Sequence, residues 1–160
     1  MANKTLVLYF SVNQHTELLA KTIQEKIGAD IEEVHPVEAY PDNYNVLVTM
    51  VKEQIEKHEI PEAKALEHKL EDYDTILVGT PNWWSHIAPP LLGLMKANKV
   101  EGKKVGIFAT HIGGGIGGIE EAVKKEWPDN DYLESLEIYG DGGSNREKLI
   151  DKWLEKVNLK

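Results

Sequence analysis

Strand-like and helix-like segments alternate along the whole chain, and this alternation allows few folds. Thr5 to Phe10 (TLVLYF) is a continuous apolar, β-branched and aromatic run, as a strand buried on both faces requires. Leu18, Leu19, Ile23 and Ile27 recur at helical spacing, and Gly28 is a stop signal. A short strand is expected at about 31–34, then a loop over 36–44 that holds two prolines and an Asp-Asn pair. Leu47, Met50, Val51 and Ile55 mark a helix ending near Pro61, and Thr75 to Gly79 a second buried strand. Pro89 and Pro90 suit the first turn of a helix burying Leu91, Leu92, Leu94 and Met95. Lys104 to Thr110 reads as the next strand, with Ile116, Ile119 and Val123 along one face of the helix after it. Leu133 to Tyr139, interrupted by charges, is expected at a sheet edge, and Leu149, Ile150, Trp153, Leu154 and Val157 give a terminal amphipathic helix. Five strands in strict alternation with five helices predict one α/β domain over residues 1–160, its parallel sheet wrapped on both faces by right-handed crossovers.

Composition narrows the chemistry. A chain of 160 residues suits one domain, and 41% apolar residues suffice for a packed core. It has no cysteine, so disulfides, thiol nucleophiles and iron–sulfur clusters are excluded. The first apolar run is too short for a signal peptide or a membrane span, so a soluble cytoplasmic protein is expected. A formal charge of −9 disfavours nucleic acid and anionic lipid, and suits basic protein partners or none. The histidines are scattered without metal-ligand spacing, and His58 and His68 are expected on solvated polar segments.

Ligands of open parallel sheets bind beyond the carboxyl ends of the strands, which directs attention to three loops. Ser11, Val12, Asn13, Gln14, His15 and Thr16 offer hydroxyls and amides beside a helix N-terminus, an anion site that needs no lysine or arginine. Ordinary capping by Ser11, Asn13 or Thr16 is the alternative. Pro81, Asn82, Trp83, Trp84, Ser85 and His86 hold two adjacent tryptophans that cannot both enter one core, and an exposed indole suits stacking on a flat conjugated ring. The alternative is packing over a hydrophobic edge or a partner. After Thr110, the stretch His111, Ile112, Gly113, Gly114, Gly115 to Gly118 holds five glycines in six positions, which lets a ligand approach the backbone or leaves the loop flexible. Gly113, Gly115 and Gly118 also satisfy G-x-G-x-x-G, with Glu137 where a ribose-binding acid would stand. That fingerprint belongs in an opening βα unit with more sheet after it, so it is set aside.

Together these segments resemble the flavodoxin family, and most closely its short members with a P-x-W-W-x-x-x-P second loop: YFSVNQHT, YPDNY, YDTILVGTPNWWSHIAPP and GKKVGIFATHIGGGIGG. The resemblance implies strand order 2-1-3-4-5 and non-covalent flavin mononucleotide (FMN). Ser11, Asn13, His15 and Thr16, with the backbone of Val12 and Gln14, would hold its phosphate. Pro81 to Ser85 would flank the flavin ring, with Trp83 first for stacking. Thr110, His111 and Gly113 to Gly115 would line the pyrimidine side, where His111 either donates to the reduced flavin or caps its strand. The implied activity is electron transfer with redox partner proteins that dock at the flavin edge, the protein being a monomer or weak dimer. A small FMN-dependent NAD(P)H:quinone-type oxidoreductase is the alternative, and a flavin-free member acting by protein contacts is a third.

Two departures from the family pattern stand out. Gln14 replaces a usual glycine, and Trp84 and Ser85 stand where a glycine often permits a peptide flip. Positive φ at a non-glycine residue costs about 1–2 kcal/mol, so the half-reduced flavin is expected to be less stabilised than in a typical one-electron carrier.

Overall fold

The computed structural model describes residues 4–12 and 14–160. Its sheet runs in the order β2-β1-β3-β4-β5, with β6 also on β4, and every pairing is parallel. In chain order the elements are β1 (Thr5–Tyr9), α1 (His15–Ile27), β2 (Asp30–Glu33), α2 (Tyr44–Glu56), β3 (Thr75–Pro81), α3 (Pro89–Ala97), β4 (Lys104–His111), α4 (Ile119–Glu126), β5 (Asp131–Tyr132), β6 (Leu136–Tyr139) and α5 (Arg146–Lys156). The expected architecture and strand order are both present.

Alternation within the central strands divides the core in two. Leu6, Leu8, Ile76, Val78, Val105 and Ile107 pack on one face against Leu91, Leu94 and Met95 of α3 and Ile119 and Val123 of α4. Val7, Tyr9, Leu77 and Phe108 pack on the other against Leu19, Ala20 and Ile23 of α1 and Ile150, Trp153 and Leu154 of α5. Gly79 stands mid-strand because its register partner Phe108 fills its side-chain space: a Cβ there would lie 2.2 Å from the phenyl ring.

Several boundaries differ from expectation. The edge strand expected over 133–139 is two segments. Lys104 pairs with Asp131 and Phe108 with Leu136, so the outer strand carries one residue more than β4 between those points. Such a bulge is characteristic of an edge. The second helix ends at Glu56 rather than near Pro61, and Ile116 precedes α4 instead of joining it. His68 is half-buried on a segment that is otherwise largely exposed, as expected, but it is tied down there. Its backbone N–H and Nδ1 both meet Glu32 Oε1, at 2.9 and 2.6 Å, fastening the 62–68 segment along β2. Among the described residues no helix is long and apolar enough to cross a membrane.

Glu126, at the end of α4, ties that helix to α3. Its carboxylate lies 2.7 Å from Lys96 Nζ and 3.5 Å from Lys99 Nζ. Burial pushes the Glu126 carboxyl upward, but the two lysines outweigh it and hold it below the ordinary carboxylate range. A carboxyl depressed in the folded state stabilises above its unfolded value, about 4.3, and loses that contribution as pH falls through its folded value. Glu126→Gln is therefore expected to be about 1 kcal/mol less stable than the wild type at pH 7. Urea unfolding at a series of pH values should show this gap closing only below the ordinary glutamate range.

Candidate functional site

Because β1, β3 and β4 run parallel and in register, the loops that follow them emerge at one end of the sheet. The first loop enters α1 through Gln14, which sits at φ 72° as the N-cap and makes no side-chain capping bond. Ser11 Oγ accepts from the Glu17 N–H at 3.2 Å, so this hydroxyl does part of the capping. The first-turn N–H groups of α1 otherwise point out of the helix toward the loop mouth, where they favour negative charge. Thr16 is fully buried, and its hydroxyl lies 2.9 Å from that of buried Thr110, joining α1 to the end of β4. The predicted residue Asn13 lies outside the described residues.

The second loop is a two-residue hairpin turn. Trp83 N–H donates to His86 O at 3.1 Å and His86 N–H returns the bond to Trp83 O at 2.9 Å. The central residues Trp84 and Ser85 lie at φ 52° and 64°, the left-handed pair that a type I′ turn demands and that Asn-Gly ordinarily supplies. The cost expected for this loop is thus borne by both residues, offset by the two cross-turn bonds.

Trp83, the expected stacking residue, lies edge-on to Phe10 and Tyr40, with centroids 5.6 and 6.5 Å apart. Tyr40 in turn donates to Gln54 Oε1 at 2.7 Å, and burial holds its hydroxyl protonated far above the ordinary range. Trp84 is 47% exposed and presents the freer indole. The turn directs one tryptophan to the aromatic cluster and the other to solvent, because neighbouring residues of a tight turn cannot face the same way.

The third loop leaves β4 at His111. Its Nδ1 lies 3.0 Å from the Gly113 N–H and accepts from it, so a neutral imidazole carries its proton on Nε2. The His111 ring also meets Tyr139 edge to face at 5.8 Å. Ile112 projects outward, 77% exposed. Glu137 accepts from the Ile116 N–H at 2.8 Å, so its carboxylate holds this loop to the edge strand.

The second and third loops are bonded to each other. Asn82 N–H donates to Thr110 O at 2.8 Å, and Asn82 Nδ2 to Gly115 O at 2.6 Å. Between the loops and α2 opens a cleft of about 260 Å³, walled by Val12, Tyr44, Leu47, Val48, Val51, Asn82, Trp83, Trp84 and Ile112. Asn82 brings its one side-chain amide, beside the Tyr44 hydroxyl. Its Oδ1 is buried without a hydrogen-bond partner among the described residues.

The α2 wall was not among the predicted site residues. The helix starts at Tyr44, where Asn43 Oδ1 accepts from Val46 N–H at 3.1 Å. Its apolar residues occupy more than one helix face, which is the signal that marks it. Leu47 and Val51 are buried yet join neither core cluster; they face the cleft. Among the described residues no cluster of three metal-ligating side chains occurs.

The flavodoxin family model matches residues 4–157. The chain belongs to the flavodoxin family. A crystal structure of a Bacteroides eggerthii protein ascribed to the flavoproteins is similar at 26% identity and TM-score 0.83, with 99% of this chain and 100% of that one covered. A flavoprotein of Lactobacillus acidophilus, solved in complex with FMN, matches at 24% identity and TM-score 0.71, over 95% and 99% of the two chains. Flavodoxin 2 of Bacillus cereus matches at 17% identity and TM-score 0.60, over 98% and 96%. In the last two cases the likeness is one of fold.

The Thr16–Thr110 contact gives a test of how the flavodoxin site is held together. Thr16→Val and Thr110→Val should each cost about 1–3 kcal/mol, since each leaves one buried hydroxyl without its partner. The double variant should cost clearly less than the sum in a thermodynamic cycle from denaturant unfolding.

Proposed function

We propose that this flavodoxin-family chain binds FMN non-covalently at the joined loops and passes electrons between partner proteins. The cleft carries this reading: an exposed indole, an apolar lining and a helix N-terminus only partly capped meet at one sheet end. The flat ring system would lie against Trp84, Ile112 and Val12, with Pro81, Asn82, Trp83, Ser85 and His86 shaping that wall. The buried, unpartnered Asn82 Oδ1 is an acceptor that an N–H of the flavin's pyrimidine ring would satisfy. The phosphate would lie at the opening of α1, on the N–H groups of Gln14, His15 and Thr16 and the hydroxyl of Ser11. His111, its Nδ1 taken by the Gly113 N–H, offers Nε2–H as a donor beside Thr110, Gly113, Gly114 and Gly115.

When bound, FMN supplies reversible uptake of one or two electrons. The chain's own part is to hold the ring, fix its orientation and exclude water from one side. A Lactobacillus acidophilus flavoprotein of this fold holds FMN, which supports the choice of ligand. The formal charge of −9 favours basic redox partners. An FMN-dependent NAD(P)H:quinone-type enzyme would hold the same flavin in the same cleft, so it is the acidic surface, suited to basic redox partners, that favours the carrier.

Titration with FMN should quench tryptophan emission and release heat, and riboflavin, which lacks the phosphate, should bind at least about tenfold more weakly. Trp84→Ala should weaken FMN binding about tenfold, the scale of one lost aromatic stack. Unchanged emission together with no heat on adding FMN would overturn the proposal. Rapid anaerobic oxidation of NADPH by the pure holoprotein would favour the enzyme instead.

A further inference from the structure

We propose that Gly117 and Gly118 are positioning residues for the Trp84 indole, so that the third loop sets the angle at which the second presents its stacking plane. The proposal rests on the reading of Trp84 as the ring-stacking residue. Its basis is a close contact between two backbones. The Gly118 N–H donates to Ser85 O at 2.9 Å, fixing the carbonyl at the tip of the Trp84–Ser85 turn. A Cβ on Gly118 would lie 2.9 Å from that same oxygen. A Cβ on Gly117 would lie 2.9 Å from both Cα and Cβ of Ser85, and 3.0 Å from its Oγ. The turn therefore sits on a glycine ledge at the entrance to α4, where no side chain fits without displacing it.

The ledge explains how a turn without glycine keeps two left-handed residues. Trp84 and Ser85 each adopt a conformation that a free chain would leave, and such conformations persist when surrounding contacts over-determine them. Two cross-turn bonds hold the base of the turn, the Gly118 bond holds its tip, and Asn82 Nδ2 on Gly115 O holds the strand that leads into it. Two of the five glycines in the third loop thus face the neighbouring turn. Neither lines the cleft, so a substitution there reaches a ligand through the turn that carries Trp84 and Ser85.

Gly118→Ala gives a clean test, because Gly118 has φ −86°, which alanine accepts readily. Gly117→Ala is the second variant, since Gly117 lies at φ 54°. Its control is Gly102→Ala, where φ is 70° but nothing lies within 4 Å of the added Cβ, so it has the conformational cost without the contact. FMN and riboflavin affinities are measured by calorimetry, and acrylamide quenching reads the exposed tryptophan. Gly118→Ala and Gly117→Ala should each weaken FMN by more than threefold and by no more than the roughly tenfold of Trp84→Ala, and riboflavin by the same factor, because the defect lies at the ring. Gly102→Ala should stay within twofold of wild type. In a Trp84→Ala background Gly118→Ala should have no effect beyond twofold.

The proposal is overturned if both ledge variants bind FMN within threefold of wild type, or if Gly118→Ala weakens binding as much without Trp84 as with it. If the wild type itself takes up no FMN, the functional reading fails separately. The quenching constant then decides the positioning claim: a change in both ledge variants and not in Gly102→Ala sustains it, and no change ends it.

Discussion

Parallel pairing of β1, β3 and β4 is the constraint from which the site follows. Tyr9 is paired with Gly79, and Gly79 with Phe108, so the three strands advance together and end within a few residues of one another. Antiparallel pairing would send alternate loops to opposite ends of the sheet. Here right-handed crossovers return each strand in the same direction, and three separate stretches of chain meet at one edge. The ladder continues past the strands, since the Asn82 N–H bonds Thr110 O. The loops thereby inherit the rigidity of the sheet.

What these loops form is a neutral, apolar cleft in an acidic protein. Its polar resources are mostly backbone: helix-opening N–H groups, one side-chain amide and one imidazole. Strain is concentrated in the same region. Of the five non-glycine residues at positive φ among those described, Gln14, Trp84 and Ser85 lie in the first two loops. Each is held by its surroundings, Gln14 by the helix it opens and the other two by the hairpin bonds and the glycine ledge. Such held conformations fix where a side chain points, which a flexible loop would leave to the ligand.

Much of this was legible because it depends on local pattern. Thr5 to Phe10 and Thr75 to Gly79 read as buried strands from their unbroken apolar runs, and the loops after them were marked by residue types unusual in a core. Less was legible where the outcome depended on partners distant in the chain. Which tryptophan stays exposed depends on Phe10 and Tyr40, both far from the Trp-Trp pair in sequence. The α2 wall was missed because Leu47 and Val51 read as ordinary core positions, and only packing shows that they face a cleft. The bond from His68 to Glu32 was hidden because Glu32 stands on β2, far away in the chain. The edge bulge was hidden because it exists only relative to the register of β4.

The sequence by itself determined the α/β alternation, the strand order through its likeness to flavodoxins, and the three loops that follow the central strands. These follow from hydrophobic period and residue chemistry, which act over a few neighbours. Only the tertiary structure decided how the loops are bonded together, which indole faces outward, and what the paired glycines at 117 and 118 accommodate. Those are contacts between surfaces far apart in the chain, set at distances of about 3 Å, and no local pattern encodes a distance.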